Sequence, residues 1–109
     1  MTPRESFDTL EFQQGNPSAI MTREEAAAKA KKDLTSRLGL DEKQITEQSV
    51  SDADFPDMAL GAAAAGEMSG QMITRGWKIQ LQAGGQSYEY RADKNQLRLF
   101  KFKGKNYKI

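Results

Sequence analysis

The 109-residue chain contains no cysteine and no histidine. The first absence excludes disulfides, thiolate nucleophiles and thiolate metal sites. The second removes the usual general base and the commonest transition-metal ligand. Hydrolytic and redox catalysis therefore have little to build on, and the expectation is a protein that is not an enzyme and carries no cofactor. An excess of charge is missing too, with 16 lysines and arginines against 15 acids. Bulk electrostatics thus single out neither nucleic acid nor membrane as a partner. No apolar run approaches the ~20 residues of a membrane span. The opening MTPRESFDTLEFQQ also lacks the apolar centre of a signal peptide, so a cytoplasmic location is expected, although an exported mature form would read the same way.

What is present centres on residues 76–92, GWKIQLQAGGQSYEYRA. Folding this stretch at Gly84-Gly85 sets Leu81 opposite Tyr88, Ile79 opposite Tyr90 and Trp77 opposite Ala92, which gathers the apolar side chains on one face. Lys78, Gln80 and Gln82 meet Arg91, Glu89 and Ser87 on the other, the pattern of a hairpin with one wet side. A slip of one residue would destroy the match. Two glycines suit a primed two-residue turn. They do not make a phosphate loop, because neither a helix start nor a Lys-Ser/Thr pair follows. A second turn at Asp93-Lys94-Asn95-Gln96 starts a third strand, with Leu97 and Leu99 on the apolar face. Strict alternation then points Phe100 and Phe102 to the opposite face. Upstream, Gly76 reads as a bulge where the strand enters the hairpin.

A helix is expected from residue 23 to residue 38. Thr22-Arg23-Glu24-Glu25 is a capping box, Ala27, Ala30, Leu34 and Leu38 form a narrow apolar stripe, and Gly39 suits a left-handed cap. An alanine-rich stripe lets the helix lie close on the hairpin's apolar face. It is too small and too poor in bulky anchors for membrane binding. Residues 45–53, extending towards Phe55, read as a weaker fourth strand. The fold class expected is α+β, one helix packed on a three- to four-stranded antiparallel sheet. Residues 1–21 read as a flexible extension whose Phe7 and Phe12 can dock on the core, and residues 22–109 as one domain.

Three functional readings arise. The long loop 55–72 gathers Phe55, Met58, Leu60, Met68 and Met72, and long loops in small domains are often binding surfaces. It suggests non-catalytic recognition of a protein or peptide, with inhibition as one form. Alternatively, Arg98, Phe100, Lys101, Phe102, Lys103 and Lys105 interleave aromatics with cations, the composition of a single-strand nucleic-acid platform. A basic edge strand guarding against aggregation has the same composition. The third reading is a metal-dependent enzyme built on Asp52, Asp54 and Asp57. Against it, the spacing lacks the glycine and closing glutamate of an EF-hand, Pro56 interrupts it, and aspartate is a common turn residue. Oligomeric state is left open.

The motifs F-P-D-x-x-L-G at 55–61, I-T-x-G-W-x-I-x-L at 73–81 and G-x-x-Y-x-Y at 85–90 carry a resemblance. From about Ala26 to Phe100 the chain resembles a small bacterial domain of no settled function. That domain is common in cyanobacteria and lipoproteins, and is sometimes labelled protease-inhibitor-like. The resemblance implies a helix-on-sheet arrangement similar to the PepSY and cystatin-like class. Its members usually place Ser before L-G and Cys-Pro after it. Here those positions hold Ala59 and Ala62-Ala63, so any role of that cysteine is absent.

Overall fold

The computed structural model describes residues 20–109. Residues 1–19, which hold most of the expected extension, lie outside them.

Helix α1 is Arg23–Leu38, and both halves of the capping box form at its start: the Glu25 N–H donates to the Thr22 hydroxyl at 3.1 Å, and the Thr22 N–H to Glu25 Oε1 at 2.9 Å. Gly39 takes a left-handed φ of 67° and donates its N–H to the Thr35 carbonyl. A 3₁₀ turn at Glu42–Gln44 then feeds five strands: β1 Ile45–Phe55, β2 Thr74–Ala83, β3 Gln86–Ala92, β4 Leu97–Phe102 and β5 Lys105–Lys108. They form one antiparallel sheet in the order β1-β2-β3-β4-β5. The hairpin register is the expected one, from Ala83 opposite Gln86 to Trp77 opposite Ala92. The α+β class holds, with one strand more than the sequence suggests and β1 running its full length to Phe55.

Helix α1 lies on the face carrying Ile79, Leu81, Tyr90 and Leu99, all fully buried against Ala26, Ala30 and Leu34. A hydroxyl inside this core needs a partner. The Tyr90 hydroxyl donates to Asp33 Oδ2 at 2.7 Å, and the same oxygen accepts from Arg37 Nε at 2.7 Å. Burial, reinforced by the bond to Asp33, pushes the Tyr90 phenol well above its ordinary range.

Two expectations change. Gly76 is no bulge, since it pairs in register with Ala53; the irregularity of β1 lies between Glu47 and Ser49. Glycine is needed at 76 for close approach, because a Cβ there would stand 2.1 Å from the Ala92 carbonyl oxygen. The second concerns Phe102. A register shift between Leu99 and Phe102, with Lys101 at φ 51°, breaks the alternation of β4. Phe102 consequently packs on the helix side, 5.9 Å from the Tyr88 ring and under the Arg37 guanidinium, while Phe100 stays on the outer face beneath Arg91.

Candidate functional site

Residues 56–73, between β1 and β2, lie against the outer face of the sheet, the face opposite α1. Two arginines of that face hold them. Arg91 is sandwiched between the Phe55 and Phe100 rings, 5.4 and 3.6 Å from their centroids. It donates to the Leu60 carbonyl at 3.0 Å and pairs with Glu89 at 2.6 Å. Arg98, its neighbour across the strands, is buried and grips Glu67 with both terminal nitrogens, at 2.6 and 2.7 Å. Such a bidentate pair is directional as well as strong. Further bonds fix the backbone: Met58 N–H to the Gly70 carbonyl, Gln96 Nε2 to the Met58 carbonyl and Asn106 Nδ2 to the Ala63 carbonyl.

The loop therefore divides into a buried part and a displayed part. Phe55 and Leu60, expected as contact residues, are buried, at 3% and 0% exposure. Met58, Met72 and Ile73 remain 50%, 63% and 73% exposed. Met58 and Met72 meet Ile73 and Trp77 around a groove of about 550 Å³, completed by Asp52, Arg75, Asp93, Lys94 and Asn95. Met68 stands apart, almost wholly exposed, over a shallower depression with Met58, Ser69 and Gly70. Ile73 and Trp77 were missed as site residues. Both belong to the I-T-x-G-W motif, and the available signal was an isoleucine just ahead of a strand that did not need it for its core.

The basic and aromatic set converges only in part, since Phe100, Lys101, Phe102 and Lys103 line a groove of about 390 Å³ with Tyr88 and Glu89, and the acidic set does not converge. Arg98 is buried on Glu67, Phe100 and Phe102 occupy opposite faces, and Lys101 and Lys103 lie 5.2 and 5.4 Å from separate rings. Lys105 begins β5. The row of stacked aromatics needed for a nucleic-acid platform is not assembled. Asp52 and Asp54 both approach Arg75, at 3.6 and 3.4 Å, whereas Asp57 Oδ1 accepts the N–H groups of Ala59 and Gly61. Asp57 is a turn-maker. Among the described residues no group of three acids is placed to hold a metal.

Residues 27–100 match the model of a family described as a domain of unknown function, DUF8738. The chain belongs to that family. No curated protein and no solved structure matches it. The DUF8738 match runs from α1 through β4 and so contains the whole groove, over nearly the same residues as the motif resemblance. Among the described residues of this DUF8738 domain, no helix is long and apolar enough to cross a membrane.

The arginine clasp has a pH signature. Hydrogen bonds from Arg98, then from the Ala64 N–H, hold the Glu67 carboxyl near pKa 2, below its ordinary 4.5. A carboxylate depressed in the folded state contributes stability that is complete above its unfolded pKa and lost as pH falls through the folded one. Wild type is accordingly expected to lose its stability advantage over Glu67→Gln between pH 4.5 and pH 2. Urea titrations of both proteins across that window test this; a constant difference would refute it.

Proposed function

We propose that this DUF8738 domain is a non-catalytic recognition module that binds an extended peptide segment in the groove of Met58, Met72, Ile73 and Trp77. One observation carries the reading: four large apolar side chains ring a single groove, three of them substantially exposed, with the Met58 backbone pinned by Gly70 and Gln96. Large apolar residues without cover mark binding surfaces. Methionine thioethers adapt to varied apolar partners, and a fixed backbone limits the entropy lost on binding. The groove fits an apolar anchor side chain. Lys94 stands at its rim for a carboxylate beside that anchor.

Selection from a random peptide library on the full chain tests the proposal. Enriched peptides are expected to carry one bulky apolar residue near an acid, and to bind Met72→Asp and Ile73→Asp at least about tenfold more weakly, the scale of an interface hot spot. Both substituted side chains are exposed, so folding is expected to survive. Equal binding to wild type and both variants would move recognition away from the groove.

A further inference from the structure

Three of the chain's five methionines fall between residues 58 and 72, at positions 58, 68 and 72. All three keep half or more of their surface in water. A lone exposed methionine needs no account, but three on one loop do. The peptide groove takes up Met58 and Met72 and leaves Met68, the most exposed of them, without a task.

Met58 joins the other two. It lines the groove shared with Met72 and also the shallower depression shared with Met68. Its N–H donates to the Gly70 carbonyl at 2.9 Å, and its sulfur lies over Gly70 so closely that a Cβ there would stand 2.6 Å from Sδ. Gly70 is the midpoint of Met68-Ser69-Gly70-Gln71-Met72. Each outer methionine is two residues from it, which keeps each Cα within about 7 Å of the Gly70 Cα. With three rotatable bonds apiece, both outer side chains can turn their sulfurs towards the Met58 thioether while the backbone stays pinned.

The oxygen donors beside these sulfurs are already engaged. Both Glu67 carboxylate oxygens are taken by Arg98, and the Ser69 hydroxyl accepts from the Ala59 N–H at 2.9 Å. Thiolate and imidazole are absent from the whole chain, so zinc lacks its usual soft and borderline ligands. What remains is a set of neutral, polarisable sulfurs. Thioethers select copper(I), whereas carboxylate, carbonyl and water oxygens suit magnesium, calcium and manganese.

We propose that Met58, Met68 and Met72 together bind one copper(I) ion through their thioether sulfurs. The site shares two residues with the peptide groove but does not rest on that reading, because leucine would serve as an apolar contact and cannot ligate a metal.

Silver(I), equal to copper(I) in charge and similarly soft but without its ready oxidation, is the probe. Titration of the full chain with silver nitrate in chloride-free buffer, followed by calorimetry and by the methionine methyl NMR signals, is expected to show one ion per chain. The signals of Met58, Met68 and Met72 are expected to shift, and that of Met21, buried in the core, to stay in place. Met58→Leu, Met68→Leu and Met72→Leu are each expected to weaken binding about tenfold or more, and the triple variant to abolish it. Thioethers have no proton to lose on binding, so the affinity is expected to change less than about twofold between about pH 5 and pH 8. Copper(I), delivered without oxygen against a competing chelator, is expected to rank the variants in the same order. Circular dichroism checks that every variant is folded. Peptide binding, where wild type shows it, is expected to survive the three leucine variants within about threefold, so that failure of one reading is distinguishable from failure of the other. No silver bound by folded wild type up to about 1 mM, or equal binding by the triple variant, would overturn the proposal. An affinity indifferent to Met68→Leu would overturn it equally.

Discussion

Replacing Gly76 with alanine is expected to cost about 3 kcal/mol, at the upper end for overpacking a well-ordered interior. The added Cβ would meet the Ala92 carbonyl oxygen at 2.1 Å, the Ala92 carbonyl carbon at 3.1 Å and Asp93 Cβ at 3.3 Å. Two of these are backbone atoms of β3, so no side chain can swing aside. Relief requires β2 and β3 to separate where Trp77 pairs with Ala92, at the root of the turn that carries Lys94. Gly84→Asn is the natural control. Gly84 has a φ of 59° with nothing near its missing Cβ, and asparagine tolerates that conformation, so a loss below about 1 kcal/mol is expected. Urea denaturation of the two variants measures the contrast. Similar losses would show that space at Gly76 is not what selects glycine there.

The second large effect concerns the clasp, and it is expected to be asymmetric. Glu67→Ala leaves the Arg98 guanidinium with Gln96 Oε1 at 2.7 Å and the Ala62 carbonyl at 3.4 Å, but without a counter-charge, in a side chain only 4% exposed. A buried cation stripped of its partner costs about 3 kcal/mol. Arg98→Met removes the charge itself and leaves Glu67, a quarter exposed, free to hydrate. That variant is expected to lose about half as much. Denaturation of both single variants and the double completes a cycle, with a coupling energy of about 1 to 3 kcal/mol expected for directly bonded groups. A coupling near zero would mean that the two arms of the clasp act independently. Amide exchange across residues 57–70 should rise in Glu67→Ala while the β2–β3 hairpin stays protected.

The parts of this fold legible in the sequence are those in which local chemistry and long-range packing agree. The period of two from Trp77 to Tyr90, interrupted by Gly84-Gly85, admits a single register. Thr22 and Glu25 can satisfy one another only at a helix start. The less legible parts depend on residues whose identity announces nothing. Lys101 takes a left-handed φ although lysine carries no mark of it, and that one residue sends Phe102 to the helix side. β5 offers four residues with Tyr107 as the only large apolar one, though the Lys103-Gly104 pair, at φ 51° and 83°, did provide the signal of a primed turn. The candidate site was half legible. The apolar residues of 55–72 clearly needed cover, but Arg91 and Arg98 read as ordinary members of a wet face. Their burial beneath the loop decides that Phe55 and Leu60 face inwards and Met58 and Met72 outwards.

The strand order, simple as it is, bears on how quickly the chain can find its structure. Each strand lies beside its predecessor, and three of the four hairpins close over turns of only a few residues. The β1–β2 pairing alone spans a long connection, and the entropy of closing a loop grows only slowly with its length. Most of the pairing is thus between near neighbours in the chain, which places the domain towards the fast side of mixed α and β folds. β1 is the strand that must close this longest loop, and while it is undocked a second copy of the same strand could compete for β2.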